Sequence, residues 1–207
     1  MENRKLLAII RSVINLFWIL QWVLIFALIT YTSLLVLNVD FFDVDVLKGF
    51  KIHFSKIEFI QPLIFEGSEY SFNLTNGVGR LHVSDLPRNF IYYRLFAAFV
   101  DTFLYLSILY FLRKIFINLT DNEYFIPENG MYLKKIGYTI IALALLPEII
   151  HYLSDLQVVK YITIENVKLK TEFNFDIQTI LLGILVFVIS LVFLRGIELK
   201  KDQELTI

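Results

Sequence analysis

Residues 12 to 37 pass 26 positions without a charged side chain or a histidine. Three further stretches are nearly as bare: 177–194 has none of these groups, 95–112 only Asp101, and 136–154 only Glu148 and His151. A helix rises ~1.5 Å per residue, so ~17–25 apolar residues cross the ~30 Å of bilayer hydrocarbon. The spacing therefore predicts four membrane spans, over about 12–37, 91–112, 136–154 and 177–195. A water-soluble helical bundle would need a polar face recurring at the helical period, and the first and fourth runs have no such face. Composition agrees: 57% of residues are hydrophobic and 19% charged, against about 45–50% and about 25% in soluble domains.

The first run is also too long for a cleaved signal, whose apolar core is ~7–15 residues followed by small residues at the cleavage point. It reads as an uncleaved anchor. Orientation follows from lysine and arginine, which translocate poorly when close to a span. Residues 1–11, 113–135 and 195–207 hold ten in 47 positions, whereas 38–90 and 154–178 hold eight in 78. Both termini and the connector with Lys134 and Lys135 are expected in the cytoplasm. The predicted fold is a single α-helical membrane domain over 1–207: four transmembrane helices, an inner connector 113–135, an inner tail 196–207, and outer loops 38–90 and 155–176.

Those two loops carry strand patterns and are expected to pair into one small extracytoplasmic β-rich cap, since unpaired edges invite aggregation. Lys51–Phe59 alternates apolar and polar residues, the period of a half-buried strand. Asn76-Gly77 between Tyr70–Leu74 and Arg80–Val83 reads as a hairpin turn. In the second loop Ile162, Ile164, Val167, Leu169, Phe173 and Phe175 alternate. Thr120-Asp121-Asn122-Glu123 fits a capping box, and Pro127 with Glu128 fits the first turn of the re-entering helix. Gln21 is expected to bond across to a neighbouring helix, because lipid offers no water. The glycosylation patterns at Asn73 and Asn118 are read as coincidence.

Several chemistries are excluded. Net charge of −1 leaves no footprint for direct nucleic-acid binding, and the absence of cysteine removes disulfides, thiol catalysis and thiolate metal sites. No hydrolase, phosphate-loop or dinucleotide motif occurs, so neither an enzyme nor a bound cofactor is expected. Asp40, Asp43 and Asp45 read as a solvated acidic exit from the membrane, lacking the further ligands of a calcium loop. His53 and His82 fall on strands and read as surface or cross-strand residues, short of the three ligands a zinc site uses.

Candidate chemistry rests on Asp101, Glu148 and His151. Ionisable groups inside a bilayer cost ~2.5–3.5 kcal/mol or more to insert and therefore face protein or water. Asp101 and Glu148 fall at comparable depths, and Glu148 and His151 share a helix face. Two readings stand: a proton-sharing site for transport or pH sensing, or structural pairing through a Glu–His bond and an Asp101–Arg94 contact.

Two segments resemble a family of small bacterial membrane proteins of unknown function, DUF2975. Phe125, Asn129, Leu133, Ile136 and Gly137 are similar to its pattern of an aromatic after a turn, an asparagine and Leu-x-x-Ile-Gly. Phe193, Gly196, Leu199, Glu204, Leu205, Thr206 and Ile207 are similar to its carboxyl-terminal pattern. Where the family commonly has Gly-x-Pro-Phe, this chain has Glu123, Tyr124 and Phe125 without that Gly or Pro. The resemblance implies four spans with both ends inside, and an inner face engaging a cytoplasmic helix-turn-helix regulator. The expected function is accordingly regulatory or sensory in a bacterial inner membrane. The alternative is a small-solute or proton-linked transporter built on Asp101, Glu148 and His151, which would require a homo-oligomer to enclose a pathway.

Overall fold

The computed structural model describes residues 2–37, 49–58, 63–65, 68–70, 73–82, 88–121 and 123–205. In chain order these form α1 (Glu2–Val36), β1 (Gly49–Glu58), β2 (Leu63–Phe65), β3 (Ser68–Tyr70), β4 (Asn73–His82), α2 (Arg88–Thr120), α3 (Pro127–Tyr161), β5 (Val167–Lys170) and α4 (Ile177–Leu205). The acidic run at Asp40, Asp43 and Asp45 lies outside the described residues, as do Asn122, Thr206 and Ile207. The chain divides into two compact units. The first holds 1–39, 98–147 and 175–207, and the second 40–97 and 148–174.

All four expected spans are helical, and each helix outruns its apolar run; at ~1.5 Å per residue, 29 to 35 residues reach about 44–52 Å. Their apolar surface is mostly uncovered. Only 6% to 22% of each span's most apolar window is buried inside the chain, and Phe17, Leu20, Phe26, Phe103, Leu182 and Val192 all point outward. In water that surface would be costly at roughly 25 cal/mol per Å²; among lipid tails it costs nothing.

In the first unit, cross-helix contacts bring the start of α1, the end of α2, the start of α3 and the end of α4 to one end. Arg113 Nε donates to Asn15 Oδ1 at 2.9 Å, Phe111 stacks on Tyr132 at 6.0 Å, and Phe125 stacks on Phe193 at 5.7 Å. Gln21 makes the interhelical bond expected of it, donating from Nε2 to the Thr102 carbonyl at 3.1 Å. The α3–α4 crossing runs on small residues. Gly130, Gly137 and Ala144 follow one another at seven-residue intervals on α3, and Gly183 and Ser190 do so on α4. A Cβ on Gly137 would lie 2.9 Å from the Phe187 nitrogen and 3.0 Å from the Gly183 carbonyl oxygen. One on Gly183 would lie 3.0 Å from the Gly137 oxygen. Backbone thus meets backbone, the close approach that small residues permit between helices where no hydrophobic drive exists.

Asp176 caps α4. Its Oδ1 accepts the Thr179 N–H at 3.0 Å and its Oδ2 the Thr179 hydroxyl at 2.6 Å. Those bonds, the hydroxyl's first, hold the carboxyl below its ordinary 3.8. A depressed folded value contributes stability above the unfolded pKa and loses it as pH falls through the folded one. Asp176→Ala should therefore melt below the parent at pH 7, with the gap closing as pH drops below 3.8; an unchanged gap across that range in thermal melts would contradict the cap.

In the second unit, β4, β1 and β5 form an antiparallel sheet in that order, and β2 pairs with β3 separately. The expected joining of both loops into one sheet is realised through β1, which pairs with β4 and with β5. Three local expectations are overturned. First, Asn76-Gly77 is not a turn: β4 runs straight through it, with Gly77 opposite Phe54. Asn76 does take the positive φ of 52° that the dipeptide tolerates. The glycine makes room for a ring, since a Cβ there would lie 2.0 Å from Phe54 Cζ. Second, strand in the later loop is confined to Val167–Lys170. Helix α3 continues to Tyr161, Asn166 turns at φ 60°, and Phe173 packs edge-on against Tyr152 at 5.7 Å instead of continuing the ladder. Third, Thr120 ends α2 instead of capping α3: its hydroxyl bonds back to the Ile117 carbonyl at 2.7 Å, and the Glu123 N–H closes on the Asn118 carbonyl at 2.9 Å.

Candidate functional site

The connector between α2 and α3 is organised by Asn129, at the first turn of α3 and 2% exposed. Its Nδ2 donates to the carbonyls of Glu123 at 2.9 Å and Tyr124 at 3.2 Å. Its Oδ1 accepts from Asn118 Nδ2 at 2.7 Å. A buried amide must spend its donors and acceptor on protein, and here each bond ties the connector down. The clamp also occupies Asn118, the asparagine of the second glycosylation pattern. With the chain so held, Phe125 is set against Phe193, their rings 16° from parallel, yet Phe125 remains 65% exposed.

Residues 125–137 and 193–199 thus form one structure. Ile136 is buried, Gly137 sits in the α3–α4 seam, and Gly130 lies under Leu194 and Phe193. Leu133 is half-buried. Gly196 and Leu199 differ from these. A Cβ on Gly196 would meet nothing within 4 Å, and Leu199 is 53% exposed. Leu205 closes α4 and Thr206 lies outside the described residues. Sequence reasoning missed Gly130, Gly183, Ser190 and Asn118; the seven-residue recurrence of small residues was the signal for the first three.

Cations at this end sit on rings. Arg113 lies over Trp18 at 5.8 Å, Lys114 over Tyr110 at 5.8 Å, Lys134 over Phe187 at 5.8 Å and Lys135 over Phe111 at 5.3 Å. Basic side chains lying along aromatic faces are the pattern of a lipid–water boundary, where both residue types are enriched.

The ionisable groups in the apolar runs divide between the units: Asp101 belongs to the first, Glu148 and His151 to the second. Glu148 Oε1 accepts the Asn174 N–H at 2.9 Å, a bond that fastens the approach to α4 onto α3. His151 lies one turn further along α3 and is exposed; Asp101 is half-buried. Among the described residues no three His, Cys, Asp or Glu side chains are grouped to hold a metal. His53 is buried with Nδ1 3.0 Å from Glu172 Oε2, and Glu172 also pairs with Lys170. His82 pairs with Gly49, four positions along the ladder from the His53–Val78 pair.

Four helices long and apolar enough to cross a bilayer, largely uncovered and joined in sequence to a small antiparallel sheet, define a multi-pass membrane protein. Residues 84–207, which include α2, α3, β5 and α4, match the model of a family described as a protein of unknown function, DUF2975. The chain belongs to that family. No curated protein and no solved structure matches it.

Proposed function

We propose that this protein is a regulatory or sensory component of a bacterial inner membrane, with both termini and the α2–α3 connector in the cytoplasm and the sheet outside. The carrying observation is the contrast within the family-pattern residues. Asn129, Ile136, Gly137 and Phe193 are consumed by the fold, whereas a Cβ on Gly196 would meet none of the described residues and Phe125 and Leu199 expose apolar surface. Phe193, Gly196, Leu199 and Gln203 recur at three- and four-residue steps, so they share a face of α4. A glycine on that face costs the helix up to ~1 kcal/mol relative to alanine, and it lets another helix approach closely. The family resemblance supports a helix-turn-helix regulator as the docking partner. Orientation rests on the excess of lysine and arginine in 1–11, 113–135 and 195–207.

A transporter would instead depend on Asp101, Glu148 and His151. The engagement of Glu148 with the Asn174 backbone favours a structural role for that carboxylate. A photo-crosslinker at Leu199 in intact membranes is expected to capture a soluble DNA-binding protein. Phe125→Asp should abolish capture, while Asp101→Asn, Glu148→Gln and His151→Gln leave it unchanged. Capture indifferent to Phe125→Asp, together with solute flux lost in the three neutral variants, would replace regulation by transport.

A further inference from the structure

A cleft of about 480 Å³ opens between the first turns of α1 and the last turn of α2, at the basic end of the first unit. Its walls include Leu7, Arg11, Ser12, Asn15, Leu119 and Thr120, with no carboxylate among its lining residues. Arg11 Nη1 donates to Thr120 Oγ1 at 3.0 Å, and that hydroxyl passes its own hydrogen to the Ile117 carbonyl at 2.7 Å. Beside it Arg113 Nε donates to Asn15 Oδ1 at 2.9 Å, which turns the Asn15 amide nitrogen away from Arg113. Among the described residues both guanidinium groups are thus met by neutral oxygens. Among those residues neither has an anion to offset its charge, and Arg11 is only half-exposed, a costly arrangement for a charge.

We propose that this cleft binds one phosphate group, supplied by the headgroup of an acidic phospholipid. A guanidinium presents its N–H donors in a planar fork that fits phosphate oxygens, two bonds at a time. The Ser12 hydroxyl and the Asn15 amide add neutral donors at the rim. Leu7 and Leu119 give the glycerol and first methylenes an apolar wall. Arg113, which orients Asn15, rests on the Trp18 ring, so the cleft sits at the boundary depth where lipid phosphates lie. The inference rests on the membrane reading and on basic segments facing the leaflet richer in anionic lipid; it does not depend on any protein partner.

The full chain, purified in neutral detergent, is titrated with phosphatidylglycerol, phosphatidylcholine or inorganic phosphate and read by native mass spectrometry. One phosphatidylglycerol should be retained about tenfold more tightly than phosphatidylcholine. Arg11→Gln should bring the two lipids level. Ser12→Glu, at an exposed position where folding is little disturbed, should do the same by placing a carboxylate at the rim. Lys200→Gln with Lys201→Gln should leave the preference intact. Displacement of the lipid by millimolar inorganic phosphate would support the phosphate site and move its source from bilayer to solution. Equal retention of both lipids by the parent, or an undiminished preference in both cleft variants, would overturn the proposal. Failure of the membrane reading registers separately, as recovery of the chain in the aqueous fraction after lysis, and failure of partner docking registers only in the crosslinking.

Discussion

Gly137→Ala is expected to destabilise the assembled helices by about 1–3 kcal/mol, the usual cost of overfilling a packed contact. The sign is the informative part. Alanine favours a helix over glycine by ~1 kcal/mol, so local propensity alone would make the variant more stable. Opposing it is geometry: the new methyl would meet the Phe187 nitrogen at 2.9 Å and the Gly183 oxygen at 3.0 Å. Neither is the tip of a flexible side chain; both are backbone of α4, so relief requires the two helices to move apart along the seam through Ser190. Gly196→Ala is the matched comparison. With open space around Gly196, only propensity acts, and stability should hold or rise by up to ~1 kcal/mol. Thermal or detergent unfolding of both variants in one lipid environment decides the matter, and a Gly137→Ala protein as stable as its parent would rule out the crossing.

Asn129→Ala should cost about 1–3 kcal/mol, because Asn129 is itself buried and three part-buried hydrogen bonds that hold the connector end on it. A typical intramolecular hydrogen bond contributes ~0.5–1.5 kcal/mol net, and the alanine would give up the bonds to the carbonyls of Glu123 and Tyr124 and from the amide of Asn118. The near-isosteric Asn129→Asp separates hydrogen bonding from size. Its carboxylate still accepts from Asn118, but it loses both donated bonds and turns negative charge toward two carbonyl oxygens. It should be no more stable than the alanine variant, and in both the connector 121–126 should be cut faster by protease. A connector as resistant as the parent's in Asn129→Asp would show that shape, not hydrogen bonding, holds it.

Both predictions concern features that differ in how far they could be read beforehand. Asn129 could be picked out only through a family pattern, and Gly137 through that pattern or the seven-residue recurrence of small residues, neither of which says what it touches. The interhelical bond of Gln21 was readable, since an amide within an apolar run has few other outlets. Asn76-Gly77 was misread because its tolerance of positive φ is local, whereas its neighbour across the ladder, the Phe54 ring, comes from 23 residues earlier. The capping pattern at Thr120 failed for a related reason: its hydroxyl had a nearer acceptor in the last turn of α2.

From the chain of residues alone came the number and rough extent of the helices, the pairing of the two inter-span segments into one sheet, and the family. The first two are properties of runs, length against bilayer thickness and apolar against polar periodicity, and the family is carried by two short motifs. Only the fold decided that Gly137 meets Gly183, that Asn129 gathers three partners, that Phe125 lies on Phe193, and that Arg11 and Arg113 end against neutral oxygens. Each of these depends on which atoms face one another across elements remote in sequence, and such contacts are set by packing at distances of a few ångströms, which periodicity does not encode.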